Sequence, residues 1–298
     1  MGWQLGIEKM TNHAVGEVPD GAPHFIIVGA CKAGTTTLYD DLSVHPDAAL
    51  PDDKEPDILH RARDARHALD LWHRHFASTG KAGVRGEGST YYTMSPDLPP
   101  VARLARDAIG AEGRIVYIVR DPIRRIESHL AHDHAVGRLA ARDYDKAALE
   151  MGRFVSWSDY GRQIAPWIEA FGRSNVLLVC FEDFVANRHR IGREVAAFVG
   201  LDPELMVPRT AIANARGQQR VARTRWLSAF IEGDFYSNAV RRALPKTVRS
   251  KVRHLLSRNF TSEEVTLSDQ TLDALQERLR HVPDEVRALG LDVKGWTT

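Results

Sequence analysis

The chain has 298 residues, 43% of them hydrophobic and 27% charged, the make-up of a globular protein with a sizeable core and not of a disordered chain. Its formal net charge is +1, so attraction for an anionic partner must come from local clusters, which argues against a dedicated nucleic-acid binder. Two cysteines, Cys31 and Cys180, make no disulfide framework, and no run approaches the roughly 18 apolar residues of a membrane-spanning helix.

Residues 1–23 show no sustained period and end in "EVPDGAP", which reads as an N-terminal tail. They lack the charged and apolar regions of a signal peptide, and "MGWQLG" has Gly6 where a myristoylation site has Ser or Thr. A cytoplasmic protein without a transmembrane segment is expected. From residue 24 to 298 the pattern reads as one domain. Strands are predicted at "FIIVG" (25–29), "RIVYIV" (114–119) and "NVLLVCF" (175–181), with weaker ones at 48–50 and 82–86. Continuous apolar runs of this kind suit strands buried on both faces of a parallel sheet. Helical patterns at 35–44, 64–78, 97–109, 122–137, 157–172 and 187–199 alternate with them. The fold class that follows is α/β, a three-layer P-loop-like fold with a central, mainly parallel sheet flanked by helices. Past residue 200 the pattern turns mostly helical and closes on 268–290, with Ser268 or Asp269 as cap and Gly290 as stop.

The most informative stretch is "FIIVGACKAGTTTLYDDLSVHP" (25–46). A strand ending in Gly29 and a turn at Gly34 into a helix bring backbone N–H groups and a positive helix end to one small volume, which suits a phosphate-like oxyanion. Thr35, Thr36 and Thr37 add hydroxyl donors and Lys32 a mobile charge. Gly29 and Gly34 keep the glycine spacing of a nucleotide-triphosphatase loop, but Thr35 stands where that motif has its lysine. A single 5′-phosphate fits such a cradle better than a β/γ-phosphate pair. In "IVYIVRDPIRRIESHL" (115–130) a strand delivers Arg120 to the sheet edge where ligands of open α/β sheets bind. Ser128 lies eight residues on, and a guanidinium fork with a hydroxyl suits a phosphate monoester. Arg124 and Arg125 read as solvated helix-face charges.

"VGACKAGTTTLYDDLSVHPDAAL" resembles the phosphosulfate loop of sulfotransferases that use 3′-phosphoadenosine 5′-phosphosulfate (PAPS). The likeness is nearest to the bacterial and Golgi, heparan-like carbohydrate branch. The resemblance implies that Lys32 contacts the oxygen bridging phosphate and sulfate, while Ala33, Gly34, Thr35, Thr36 and Thr37 hold the 5′-phosphate. It assigns Arg120 and Ser128 to the 3′-phosphate, and Arg216 with Gly217, in the basic stretch 213–225, to a late loop closing over it. Arg220 is a further candidate there. "ALPDDKEPDIL" (49–59) resembles the family's "KEP" element, making Glu55 the base beside Lys54, although Asp57-Ile58-Leu59 replaces the usual aromatic pair. "RGEGSTYYTMSP" (85–96) resembles an acceptor-side segment; Glu87, Tyr91 and Tyr92 are its candidates, with core packing an equal alternative for the tyrosines. Gly88 stands where relatives carry a lysine.

The expected reaction is transfer of a sulfuryl group from PAPS to a hydroxyl of a carbohydrate, lipid or natural product, leaving adenosine 3′,5′-bisphosphate (PAP). A histidine such as His129 or His132 is the alternative base. Despite thirteen histidines, including "LWHRHF" (71–76) and "SHLAHDHAVG" (128–137), no metal-ligand spacing appears, and no metal is expected. A P-loop kinase or a non-catalytic nucleotide sensor are the competing functions.

Overall fold

The computed structural model describes residues 18–80, 83–139, 143–209, 219–222, 257–260 and 265–298. Strands β1 (Phe25–Gly29), β2 (Ala48–Ala49), β3 (Val84–Gly88), β4 (Arg114–Val119) and β5 (Val176–Cys180) form one sheet in the order β2-β3-β1-β4-β5. All neighbouring strands are parallel, and Phe25 pairs with Gly86 on one side and Arg114 on the other. The central strands are those with unbroken apolar runs. Phe25 to Val28 and Ile115 to Val119 are wholly buried. Each such side chain stabilises the fold by about 1.5–3 kcal/mol relative to an exposed one.

Connecting the first five strands are α1 (Thr35–Ser43), α2 (Ile58–Arg61), α3 (Ala65–Phe76), α4 (Ala102–Ile109), α5 (Pro122–Ala135), α6 (Tyr144–Glu150), α7 (Arg153–Ser156) and α8 (Tyr160–Phe171). After β5 come α9 (Phe181–Ala186) and α10 (Arg188–Val199), and later α11 (Asp269–Leu279) and α12 (Val282–Ala288). The layers can be read from β4. Tyr117 meets Tyr160 of α8 edge-on, whereas the Arg114 guanidinium lies over the Phe198 ring of α10. Positions 114 and 117 face opposite sides of a strand, so helices cover both faces of the sheet. Helix α1 packs on α10, where buried Asp41 receives Arg188 through Nε at 2.8 Å and Nη2 at 2.6 Å. That paired fork fixes the helix on which the cradle ends.

Two differences from the sequence expectation have local causes. The pattern at 268–290 is two helices, because Pro283 cannot donate to the helical ladder and opens α12. Ser268 does cap α11, accepting from the Thr271 N–H at 3.3 Å. Residues 219–222, expected in a basic loop, form β6, antiparallel to β7 (Ser257–Phe260). Among the described residues no helix is long and apolar enough to cross a membrane.

Candidate active site

From β1 the chain crosses to β3 and β2 on one side, and β4 leads to β5 on the other. The loops after β1 and β4 therefore diverge, and a crevice opens at their carboxyl ends. Both oxyanion motifs fall there.

The first is a built cradle. Ala30 N–H donates to the Ile118 carbonyl at 2.7 Å, and Ala33 N–H closes a turn on the Ala30 carbonyl at 3.1 Å. Lys32 is left-handed at φ 68°, as is Gly34, the N-cap of α1, at φ 88°. A side chain at Gly34 would also meet the Phe181 ring, 2.8 Å from an ideal Cβ. The first helical bond runs from Leu38 N–H to the Gly34 carbonyl, so the N–H groups of Thr35, Thr36 and Thr37 precede the ladder. They lie at the positive helix end, with Thr35 and Thr37 buried and Thr36 half-buried. Burial pulls the Lys32 pKa below its ordinary value, and the Arg120 charge acts in the same direction. An anion would relieve that pressure.

Arg120, at the carboxyl end of β4, reaches back into this loop. Its Nη1 donates to the Lys32 carbonyl at 3.2 Å, and its guanidinium lies 4.7 Å from the Phe181 ring centroid. The Arg120 carbonyl accepts from Tyr160 Oη at 2.6 Å. Asp121, which follows, is the N-cap of α5 and accepts from Arg124 N–H at 3.0 Å. Ser128 is half-buried in the second turn of that helix.

Glu55 stands beyond the end of β3. Its N–H donates to the Gly88 carbonyl at 2.9 Å, and Asp57 N–H donates to Ser89 Oγ at 3.2 Å. These bonds hold Glu55 and Asp57 in left-handed conformations, φ 63° and 51°. For residues other than glycine each costs on the order of 1–3 kcal/mol. Lys54 Nζ donates to Glu55 Oε1 at 2.5 Å and Thr90 Oγ1 to the same oxygen at 3.3 Å. Both bonds fall on one oxygen, Oε1. The charge of Glu55 is felt by Lys32, Cys31 and Tyr91, which places all four in one neighbourhood.

Several expected roles change here. Glu87 is wholly buried on β3, with Trp72 Nε1 and Tyr92 Oη donating to its carboxylate, the latter at 2.6 Å. Burial raises its pKa to about 6, against the pull of those donors. Tyr92 is buried as well and accepts from Leu59 N–H. These two side chains brace the core, and of the three acceptor-side candidates Tyr91 is the exposed one. At Gly88 an ideal Cβ would lie 3.0 Å from the Tyr39 ring and 3.6 Å from Lys54 Cε. Lys54, from the neighbouring loop, thus stands beside Gly88. His129 is buried between Phe154 and Trp157, with Asp133 at 3.6 Å. Burial and then Arg125 push its pKa far down, which makes it a poor base.

Arg125 is not solvated: it is wholly buried and donates to Ser158 Oγ at 2.6 Å and the Phe154 carbonyl at 2.7 Å. Arg124 is the exposed one and pairs with Glu127 at 3.0 Å. Arg216 and Gly217 lie outside the described residues. Among the described residues, Asp159, His281 and Glu285 bring three possible metal ligands within 4.8 Å of one another, two of them on exposed residues.

Comparison with known proteins agrees with this architecture. The family model described as "Sulfotransferase domain" matches residues 22–259. Heparan sulfate glucosamine 3-O-sulfotransferase 3B1 of Mus musculus is 27% identical over 192 residues, covering 60% of this chain and 46% of that protein. Carbohydrate sulfotransferase 15 of Homo sapiens is 24% identical over 266 residues, covering 65% of this chain and 47% of that protein. The chain thus matches about half the length of these curated relatives, which carry carbohydrate-sulfotransferase names. A crystal structure of a sulfotransferase from Alicyclobacillus acidocaldarius superposes with a TM-score of 0.61 at 20% identity, covering 93% of this chain and 99% of that one, so the fold is shared. With a family model spanning the sheet and both oxyanion motifs, the chain belongs to the sulfotransferase family.

Proposed function

We propose that this chain transfers a sulfuryl group from PAPS to a hydroxyl of a carbohydrate, lipid or natural-product acceptor, releasing PAP. The observation that carries the reading is the contact of Arg120 with the Lys32 carbonyl. It supports a single crevice with two adjoining anion positions, as a nucleotide with separate 5′- and 3′-phosphates requires.

In this reading the helix end at Gly34 to Thr37 holds the 5′-phosphate, and Arg120 with Ser128 holds the 3′-phosphate. Lys32 faces the oxygen between phosphorus and sulfur. Glu55 Oε2 accepts the proton of the acceptor hydroxyl as its oxygen forms a bond to sulfur. The sulfur–oxygen bond to the phosphate breaks in line, and Lys32 receives the charge left on that oxygen. As in phosphoryl transfer, placement and electrostatics supply most of the acceleration. Lys54 and Thr90 orient Glu55 from its other oxygen. Tyr91 and Lys54 belong to the proposed acceptor side. The two curated relatives favour a carbohydrate acceptor by analogy. A cytoplasmic location belongs to the same proposal.

The test is calorimetric titration of PAP in EDTA, followed by transfer of labelled sulfate from PAPS to a panel of glycan, lipid and phenolic hydroxyls. Tight metal-free binding of PAP, with AMP much weaker, is expected. Equal binding of ATP with magnesium and none of PAP would overturn the reading in favour of a kinase-like protein.

A further inference from the structure

We propose that the segment Trp296–Thr297 is a positioning element for Arg120 and sets the preference for a 3′-phosphorylated nucleotide. The inference rests on the donor reading above.

Arg120 and Asp121 form the turn between β4 and α5, and several of their polar groups have partners from elsewhere in the chain. Tyr160 Oη takes the Arg120 backbone on both sides, donating to its carbonyl at 2.6 Å with the Arg120 N–H at 3.4 Å. Asp121 N–H donates to Glu182 Oε1 at 3.0 Å. A further partner comes from Thr297, 176 positions away in the chain. Thr297 donates to Asp121 Oδ2 twice, through its N–H at 2.7 Å and its hydroxyl at 2.8 Å. Trp296 Nε1 donates to Glu182 Oε2 at 3.2 Å, an oxygen that also accepts from Cys180 Sγ at 3.2 Å. The Trp296 ring meets Tyr160 at 5.9 Å in an edge arrangement. Val293, wholly buried, anchors the segment.

The charge pattern explains why such a strap is useful. Asp121 is 3% exposed and sits next to Arg120 in the chain. A buried carboxylate with an unsatisfied oxygen turns to the nearest cation. Here Oδ1 caps α5 and Oδ2 is held by Thr297, so both oxygens are engaged by groups other than Arg120. Removing the strap leaves Asp121 Oδ2 to compete with a phosphate for the guanidinium, and loosens Tyr160 and Glu182 together. The cradle at Gly34 to Thr37 is built by the turn after β1 and the start of α1, so 5′-phosphate binding should survive.

The experiment titrates PAP and AMP against the wild type and the variants Trp296→Ala, Trp296→Phe, Thr297→Val and Arg120→Ala, with thermal unfolding run in parallel. Trp296→Ala should weaken PAP roughly tenfold and leave AMP unchanged, collapsing the ratio of the two affinities. Trp296→Phe and Thr297→Val, which keep the bulk and the fold, should each lower the ratio by roughly threefold. An unchanged ratio in all three strap variants, or equal losses for PAP and AMP, would overturn the inference while Arg120→Ala still abolishes the preference. If Arg120→Ala leaves the preference intact, the donor reading itself fails and the strap's role falls with it.

Discussion

The guanidinium of Arg120 donates to the backbone carbonyl of Lys32 at 3.2 Å, across 88 positions of sequence, and so ties the two oxyanion motifs into one crevice. The same side chain lies over Phe181, whose ring also packs against Gly34. One aromatic ring thus supports both the helix cap and the arginine.

Replacing Arg120 by alanine should weaken PAP by roughly 10- to 100-fold, the scale of a lost charge-assisted hydrogen bond, with little effect on AMP. Lysine should restore only part of the affinity, since it keeps the charge but neither the planar fork nor the stacking on Phe181. Calorimetry with both nucleotides decides this. Equal losses for PAP and AMP would show that Arg120 shapes the cradle and does not read the 3′-phosphate.

Glu55→Gln should lower kcat by about 10²–10⁴ while PAP affinity stays at the wild-type level. The glutamine keeps an acceptor for Thr90 and the length of the side chain, so the loop geometry should persist. A parallel collapse of PAP binding would instead make Glu55 a partner that holds Lys54 in place.

Gly34→Ala adds a Cβ at φ 88°, a backbone region that costs a residue with a side chain about 1–3 kcal/mol, and drives it toward the Phe181 ring. The Tm should fall by roughly 3–10 °C, and PAP binding should weaken through both anion positions. A variant that melts lower yet binds PAP normally would show that the left-handed cap serves the fold alone.

Glu87 makes stability depend on pH. Its folded pKa of about 6 lies above the ordinary carboxylate value, so the folded state holds a proton that the unfolded chain has already lost. Its contribution is therefore fully present below about pH 4.5 and lost as the pH rises through 6, by about 2 kcal/mol in all. Glu87→Gln should remove that dependence: the difference in unfolding free energy between wild type and variant should change across pH 4.5–7 in the variant's favour. A constant difference would mean that Glu87 titrates normally.

Much of this was legible in the order of residues. A strand buried on both faces must be apolar at every position, so β1, β4 and β5 stand out as continuous runs. The turn into α1 was equally readable, because a left-handed cap calls for glycine at 34. The short strand β3 was harder. Its sequence "VRGEG" has a charge between two glycines, and no alternation tells which way Glu87 points.

Helix α5 shows the same limit. Arg125, His129 and Asp133 recur at intervals of one turn, a pattern that looks like a solvated face in sequence. In the folded chain α7 and the residues after it supply the Phe154 carbonyl and Ser158 Oγ, and that face is buried. Local pattern determines which segments become strands and helices, since backbone geometry and apolar burial act between near neighbours. Whether a charged side chain meets water, a carbonyl or a ligand depends on segments that arrive from elsewhere, as Thr297 does at Asp121. That choice belongs to the tertiary structure, because a hydrogen bond is made by atoms within about 3 Å in space, whatever their distance along the chain.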